Sequence, residues 1–199
     1  MAIEISKVSI TTSLVISDYV NNAAQRAGFI RFTGPVLPSI HCDKCKTKLN
    51  ILLIAKCDTC NETNLINDDK VEACAHIKES KVLRELCDEF ATRYEKQIGD
   101  LYSQNHQPMS IKSYWTVLDS VIENNINWGR IVAIVYFSGV LAVDCLKASN
   151  DEYVDKIIEW TCAFFAMKVD TWIADNTGWG GIAALKENID KHPEGCTVI

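Results

Sequence analysis

Residues 127–143 decide the fold, because Asn127-Trp-Gly-Arg130 runs directly into Ile131-Val-Ala-Ile-Val-Tyr-Phe-Ser-Gly-Val-Leu-Ala-Val143. A helix over these residues is apolar on nearly every face, which is typical of a helix at the centre of a protein or in a membrane. Arg130 falls in its first turn, where the helix dipole favours anions rather than cations. We therefore expect Arg130 to need a carboxylate partner.

Length and composition predict a single helical domain over residues 1–199. Apolar residues make up 48% and charged residues 23% of the chain, which is typical of soluble globular proteins. The net charge of −6 argues against nucleic-acid binding. The first residues lack the pattern of a secretory signal, and the apolar run 131–143 is shorter than the roughly 20 residues of a membrane-spanning helix. We expect a cytoplasmic protein.

Hydrophobic periodicity predicts an all-α fold of about seven or eight helices around a central apolar helical hairpin. The predicted helices cover residues 14–29, 71–101, 110–122, 128–147, 153–168 and 172–185, the last interrupted at Thr177-Gly178. The first helix should bury Leu14, Val15, Tyr19, Val20, Ala23 and Ala27 on one face. Ser149 and Glu152 have the spacing of a capping box for the second helix of the hairpin.

Two cysteine pairs, Cys42-x2-Cys45 and Cys57-x2-Cys60, have the spacing of zinc knuckles. Four thiolates suit tetrahedral zinc, so we expect a structural zinc insert at residues 39–62, between the first two helices. The alternatives are a loop with free thiols, or pairs that are oxidised, and His41 is a substitute ligand. The cysteines on predicted helices, Cys74, Cys87, Cys145 and Cys162, are expected to be small core residues.

Four stretches of the chain resemble, in order, the motifs of one known family. Val121-Ile-Glu-Asn-Asn-Ile-Asn-Trp-Gly-Arg-Ile-Val-Ala-Ile-Val-Tyr-Phe137 and Trp172-Ile-Ala-Asp-Asn-Thr-Gly-Trp-Gly-Gly-Ile182 resemble the first and second homology regions of the Bcl-2 family of apoptosis regulators. Leu83-Arg-Glu-Leu-Cys-Asp-Glu-Phe-Ala-Thr-Arg-Tyr94 resembles the third, and Leu14-Val-Ile-Ser-Asp-Tyr-Val20 more loosely the fourth. The combination of the first two motifs is specific.

The resemblance implies a helical bundle whose surface groove captures the amphipathic death-motif helix of a pro-apoptotic relative, either Bak/Bax-like or motif-only. Such recognition needs apolar pockets at helical spacing and one polar side chain that fixes the register. By this resemblance Arg130 would pair with an aspartate of the incoming helix, and Asn127 would cap the central helix and reach the same carboxylate. Gly129 would leave room for the partner's backbone. Phe90, Tyr94, Val117, Val121 and Phe137 would line the pockets.

Simpler interpretations of these residues remain open at this point. Apolar residues at helical spacing, such as Phe90, Tyr94, Val117 and Val121, are ordinarily core residues. Trp128, Trp172 and Trp179 are expected to be structural under either interpretation. Arg130 has the alternative of an internal salt bridge to Asp88 or Glu123.

The resemblance points to a pro-survival regulator, with a Bak/Bax/Bok-like effector that permeabilises the mitochondrial outer membrane as the alternative. An effector uses its own third region as a donor helix. Here Leu83, Leu86 and Phe90 fit that pattern and Asp88 is in place. However, Glu79 falls where the first apolar residue belongs, and Cys87 replaces the usual glycine or alanine. A carboxylate in an apolar pocket is costly, so the chain is a poor donor. In favour of the effector, Leu141-Ala-Val-Asp-Cys145 and Trp172-Ile-Ala174 resemble stretches of effector members.

The C-terminal residues suggest contact with a membrane surface. Cys196-Thr-Val-Ile199 has the form of a prenylation box, and the alternative is the start of a tail anchor that is cut short. Either would bring the protein to the mitochondrial outer membrane or another intracellular membrane.

An enzyme is the alternative from another class, but the four histidines show no spacing that indicates a triad or a catalytic metal, and we expect no enzyme activity. A zinc-organised adaptor without a groove is the other alternative.

Overall fold

The computed structural model describes residues 9–29, 69–102 and 110–191, and these residues form seven α-helices and one 3-10 turn. The helices are α1 (Ile10–Arg26), α2 (Asp69–Tyr102), α3 (Ile111–Ile122), α4 (Trp128–Lys147), α5 (Glu152–Lys168), α6 (Asp170–Asp175) and α7 (Gly181–Lys191), with the 3-10 turn at Gly178–Gly180. The all-helical prediction is confirmed for this part of the chain. The predicted zinc insert at 39–62 and Cys196 lie outside the described residues.

Helix α4 is the centre of the bundle, and α1, α2, α3 and α5 all pack against it. Its 20 residues are long and apolar enough to cross a membrane, but 56% of its most apolar window is buried inside the protein, as in a core helix. Among its fully buried residues are Ile131, Val132, Ile134 and Val135. The predicted apolar hairpin of α4 and α5 is therefore present, and the other helices cover it.

Close packing of α1 on α4 depends on Gly139. A Cβ atom at this position would lie 2.6 Å from Cε1 of Tyr19 and 3.3 Å from Cβ of Ala23. The predicted buried face of α1 is only partly correct, since Ile16 and Ala24 are buried while Leu14 is half-buried. Thr12, Ser13 and Ser17 are also buried, so polar residues widen the contact face beyond what hydropathy indicates.

The predicted capping box of α5 is wrong, because Ser149 ends α4 instead of starting α5. Ser149 has φ 58°, its N–H donates to the carbonyl of Leu146, and the N–H of Asn150 donates to the carbonyl of Cys145. These two bonds form a Schellman motif, which needs a left-handed residue after the helix. Asp151 takes the N-cap position of α5 without a side-chain cap bond.

A tryptophan cluster joins the C-terminal helices to the start of α4. The ring of Trp128 contacts Trp172 and Trp179, with centroids 5.4 and 5.9 Å apart. The indole N–H of Trp179 donates to Oγ1 of Thr12 at 3.0 Å, and Thr12 in turn donates to Asp170 at 2.7 Å. These three tryptophans therefore have the structural role that was predicted, and the break at Thr177-Gly178 is a pair of left-handed residues.

Candidate functional site

Helices α2 and α3 flank the same turn of α4. Tyr136 of α4 contacts Phe90 of α2, with ring centroids 5.4 Å apart. The next residue, Phe137, stacks on Tyr114 of α3 at 5.8 Å. Because consecutive helical residues point about 100° apart, α2 and α3 pack on two different sides of α4. We refer to the space between α2 and α3 above residues 130–140 as the α2–α3 channel.

The floor of the channel is a stripe of α4 that the chain leaves partly exposed. Arg130, Ala133, Phe137 and Val140 are half-buried, whereas ten other residues of this helix are buried. Spacings of three, four and three residues place them on one face. Helix α4 therefore presents a half-buried apolar strip with an arginine at its N-terminal end.

The predicted pocket residues occupy the walls to different extents. Tyr94, Val117 and Val121 are half-buried. Phe90 is only 8% exposed, and its ring also packs on Tyr94 at 4.7 Å, so it lies at the base of its wall and belongs to the core as well. Gly129 is buried, so a partner's backbone has no access to it in this structure, and its role in recognition stays a prediction.

The polar end of the channel is organised by the start of α4. The backbone N–H of Arg130 donates to Oδ1 of Asn127 at 2.9 Å, so Asn127 caps α4 as predicted. This bond uses the side-chain oxygen of Asn127 and leaves its amide N–H groups available. Nη1 of Arg130 donates to the carbonyl of Asn125 at 2.9 Å, which orients the guanidinium.

Arg130 does not form the internal salt bridges considered as alternatives. Asp88 pairs with Arg26 of α1 through Nη1 at 2.5 Å and Nη2 at 3.0 Å. Within the described ranges, no carboxylate lies close enough to pair with Arg130, and Glu123 is exposed. The internal salt bridge to Asp88 or Glu123 is therefore wrong for this part of the chain, and the charge of Arg130 has no internal counterion there.

The death-motif residues of α2 face the interior of the protein. Leu83, Leu86 and Cys87 are buried. Arg84 pairs with Asp18 of α1, next to the Arg26–Asp88 pair. The motif is thus held by apolar burial and by two ion pairs with α1.

Two residues of α2, Cys87 and Glu79, depart from the pattern of a donor helix. The Cys87 side chain is enclosed and lies 3.9 Å from the carbonyl of Val132, and burial raises the pKa of its thiol. Oε2 of Glu79 is buried and has no hydrogen-bond partner among the residues described.

A buried hydroxyl network lies behind the channel floor. The Tyr114 hydroxyl is 2.7 Å from Oγ of Ser138 and 2.7 Å from Oγ1 of Thr161. Ser138 and Thr161 also donate to carbonyls of their own helices, at 2.8 and 2.6 Å. Burial raises the pKa of Tyr114 to about 12, so the phenol stays neutral and acts as a donor. The network fixes α3 against both helices of the hairpin.

Several contributors to the site could not be found from the sequence. Tyr136 and Ala133 complete the floor, and their positions in an all-round apolar helix give no sign of exposure. Arg26 and Asp88 are 62 residues apart. Trp115 of α3, whose indole N–H donates to the carbonyl of Trp160 at 3.0 Å, carries no motif.

The sequence of this chain is similar to the sequences of known proteins. A sequence profile described as "Apoptosis regulator proteins, Bcl-2 family" matches residues 83–179. The chain is 33% identical over 105 residues to "Apoptosis regulator Bcl-2" of Canis lupus familiaris, covering 52% of this chain and 44% of that protein. It is 33% identical over 110 residues to "Bcl-2-like protein 1" of Homo sapiens, covering 54% and 47%. The chain thus spans about half the length of the curated relatives it matches.

A solved structure has a similar fold. The crystal structure of Trichoplax adhaerens trBcl-2L2 bound to trBak BH3 matches with a TM-score of 0.63 and 21% sequence identity, covering 88% of this chain and 96% of that chain. At this identity the match concerns the fold alone.

Proposed function

We propose that the chain is a regulator of the Bcl-2 family type, because a profile of that family matches residues 83–179. In this role it captures the death-motif helix of a pro-apoptotic relative in the α2–α3 channel. The observation that carries the proposal is the half-buried Arg130 at the end of an apolar strip, without an internal carboxylate partner in the described residues. The fold neighbour trBcl-2L2 is described as bound to trBak BH3, which is the same mode of recognition.

The chemistry of the channel suits an amphipathic helix that carries an aspartate. A helix in a groove needs apolar anchors at spacings of three and four residues, and the strip of Ala133, Phe137 and Val140 has that spacing. A guanidinium has five N–H donors, and one of them is used on Asn125. The remaining donors and the amide of Asn127 would receive one carboxylate of the incoming helix.

The state of α2 favours a pro-survival captor over a pore-forming effector. An effector must present its own third region, but here Asp88 is engaged by Arg26 and the apolar motif residues are buried. Glu79 and Cys87 depart from the donor pattern as well. We infer that α2 serves as a channel wall.

The effector remains the second candidate, because Leu83, Leu86 and Asp88 keep the donor spacing and α4 is long enough to cross a bilayer. A liposome assay separates the two. An effector, alone or with an activating death-motif peptide, releases an entrapped dye, whereas a captor suppresses the release caused by a Bak/Bax-like protein.

We further propose a cytoplasmic protein that acts at the mitochondrial outer membrane or another intracellular membrane surface. The resemblance of its motifs to those of the Bcl-2 family supports this location.

Calorimetric titration with synthetic death-motif peptides tests the proposal. We expect submicromolar binding that Arg130→Ala weakens by about tenfold or more, because a hydrogen bond to a charged group contributes roughly 1.5–3 kcal/mol. Arg130→Glu should abolish binding. Either variant should fold, since the cap bond to Asn127 uses the backbone N–H of residue 130.

The matched control is Lys156→Glu, which reverses a charge on α5 where Lys156 lies over the ring of Tyr153. It should leave the affinity unchanged. Unchanged affinity in a folded Arg130→Glu variant would rule out the channel as the binding site.

A further inference from the structure

Helix α3 has three sides, one buried against the hairpin, one towards the channel and one towards α5. Tyr114 and Leu118 are fully buried against the hairpin. Val117 and Val121 lie on the flank that faces the channel and are half-buried. The opposite flank carries Trp115 one residue after Tyr114, and Asp119 one residue after Leu118. Since successive positions turn by about 100°, the channel flank and the Trp115 flank lie on either side of the buried one.

The Trp115 flank is attached to α5 at both ends. The Trp115 indole N–H donates to the carbonyl of Trp160 at 3.0 Å, and its ring meets Phe164 edge-on with centroids 6.2 Å apart. One turn later, Asp119 pairs with Lys168 at 3.6 Å. The carbonyl of Trp160 lies inside α5, where a second lone pair is free to accept the indole N–H in addition to the helical bond.

A 12-residue helix has little stability of its own, so its order must come from packing. The described residues give α3 contacts with α4 and α5. Among the described residues, two hydrogen bonds join α3 to α5. One belongs to the buried hydroxyl network, and the other is the bond from Trp115 to the carbonyl of Trp160. It fixes both the rotation of α3 and its distance from α5.

We propose that Trp115 is a positioning residue, which holds α3 on α5 so that the channel wall carrying Val117 and Val121 is already formed before a partner helix arrives. The effect on partner binding rests on the proposed function, whereas the ordering of α3 by Trp115 does not. Trp115 lies on the side of α3 away from the channel and acts without touching the partner. A wall that is ordered in advance removes an ordering cost from binding.

The structural part is tested by amide hydrogen exchange on the protein without any partner. Trp115→Phe keeps an aromatic ring against Phe164 and removes the N–H donor. The amides of residues 111–122 should exchange about two- to tenfold faster, the factor that corresponds to one hydrogen bond. Those of α4 and α5 should not change. Unchanged exchange in α3 would overturn the proposal.

Two further variants separate positioning from general loss of packing. Tyr153→Phe removes a hydroxyl from a ring that packs edge-on against Trp160 from within α5, and it should leave the exchange of α3 unchanged. Asp119→Asn weakens the exposed pair with Lys168 and should speed exchange only in the last turn of α3. Equal acceleration throughout the protein in Trp115→Phe would mean global destabilisation, and the positioning role would be wrong.

The functional part is tested by stopped-flow binding of a synthetic death-motif peptide. In Trp115→Phe the association rate constant should fall in proportion to the loss of molecules with an ordered wall, because only those molecules are competent. The dissociation rate constant should stay the same, because no contact with the peptide is lost. An increase in dissociation alone would make Trp115 a contact residue and refute the positioning role. If the unaltered protein binds no peptide, the proposed function fails, and the exchange experiment still decides whether Trp115 positions α3.

Discussion

The buried hydroxyl network behind the channel predicts a strongly non-additive mutant cycle. Ser138 donates to Ile134 and Thr161 donates to Ile157, so each has a partner in its own helix. Tyr114 has no such local partner, and its proton goes to either Ser138 or Thr161, both 2.7 Å away. Two acceptors therefore compete for one buried donor.

Single substitutions should be inexpensive because the second acceptor remains. In Ser138→Ala the phenol donates to Thr161, and in Thr161→Val it donates to Ser138. Each variant loses one ordinary hydrogen bond, so we expect a loss of about 0.5–1.5 kcal/mol in the free energy of unfolding. The double variant leaves the Tyr114 hydroxyl buried without an acceptor. That should add about 1–3 kcal/mol beyond the sum of the single effects.

Urea unfolding followed by circular dichroism measures these free energies, with a constant m value showing that the unfolding transition is comparable. Tyr114→Phe supplies the control. In the unaltered protein it should cost about 0.5–1.5 kcal/mol, but in the double variant it removes the stranded hydroxyl and should restore most of the excess loss. Additivity within about 0.5 kcal/mol would refute the reasoning, since the phenol would then have another acceptor.

Three other perturbations have defined outcomes. Gly139→Ala should lower the melting temperature by several degrees, because the added Cβ would lie 2.6 Å from Cε1 of Tyr19. The overpacking cost of about 1–3 kcal/mol exceeds the gain of about 1 kcal/mol in helix propensity. An unchanged melting temperature would contradict the close contact. Burial raises the pKa of Asp170, against the opposing hydrogen bonds from Thr12 and Ser9, so the folded state binds this proton more readily than the unfolded state. We therefore expect the free energy of unfolding of the unaltered protein, measured relative to that of Asp170→Asn, to rise as the pH falls from 7 towards the usual carboxyl range. Urea unfolding at several pH values measures this difference, and a fall over the same range would show that the sign is wrong. We also predict that elemental analysis finds one zinc ion per chain, bound by Cys42, Cys45, Cys57 and Cys60. Changing any one of these four cysteines to serine should remove the zinc, whereas Cys145→Ser should keep it. Purified protein without metal would refute the zinc insert.

Local patterns predicted the helices and much of the polar end of the channel. Residues 131–143 are apolar all round, so the central position of α4 follows from the sequence, and Asn127 caps it because an asparagine just before a helix favours that role. Ser149 shows the limit of local rules. It suits an N-cap and also tolerates the left-handed turn that closes α4, and the path of the chain into α5 selects the second.

Long-range pairs could not be predicted from spacing. The Arg26–Asp88 and Trp115–Trp160 contacts join residues 62 and 45 positions apart, and nothing in a single sequence links them. The exposed strip of α4 was hidden for a related reason. In a helix without a polar face, exposure is decided by which neighbouring helices cover each side, and a single sequence does not give their positions.

By resemblance, Asp88 of α2 and Arg130 of α4 match the two halves of a recognition pair, so the proposed role of the chain depends on the cost of presenting α2. Release of α2 would break the pair with Arg26 and expose Leu83, Leu86 and Phe90. Burial of such side chains is worth about 1.5–3 kcal/mol each, so release costs roughly 5–9 kcal/mol before any new contact is made. That is comparable with the whole stability of a typical domain, about 5–15 kcal/mol. Capture through Arg130 requires none of this, because the channel is present while α2 stays packed. A donor role would need an activating ligand that binds the opened form more tightly by a similar amount. Under the proposed function, the same bundle would act as a captor without assistance, but as a donor only after activation.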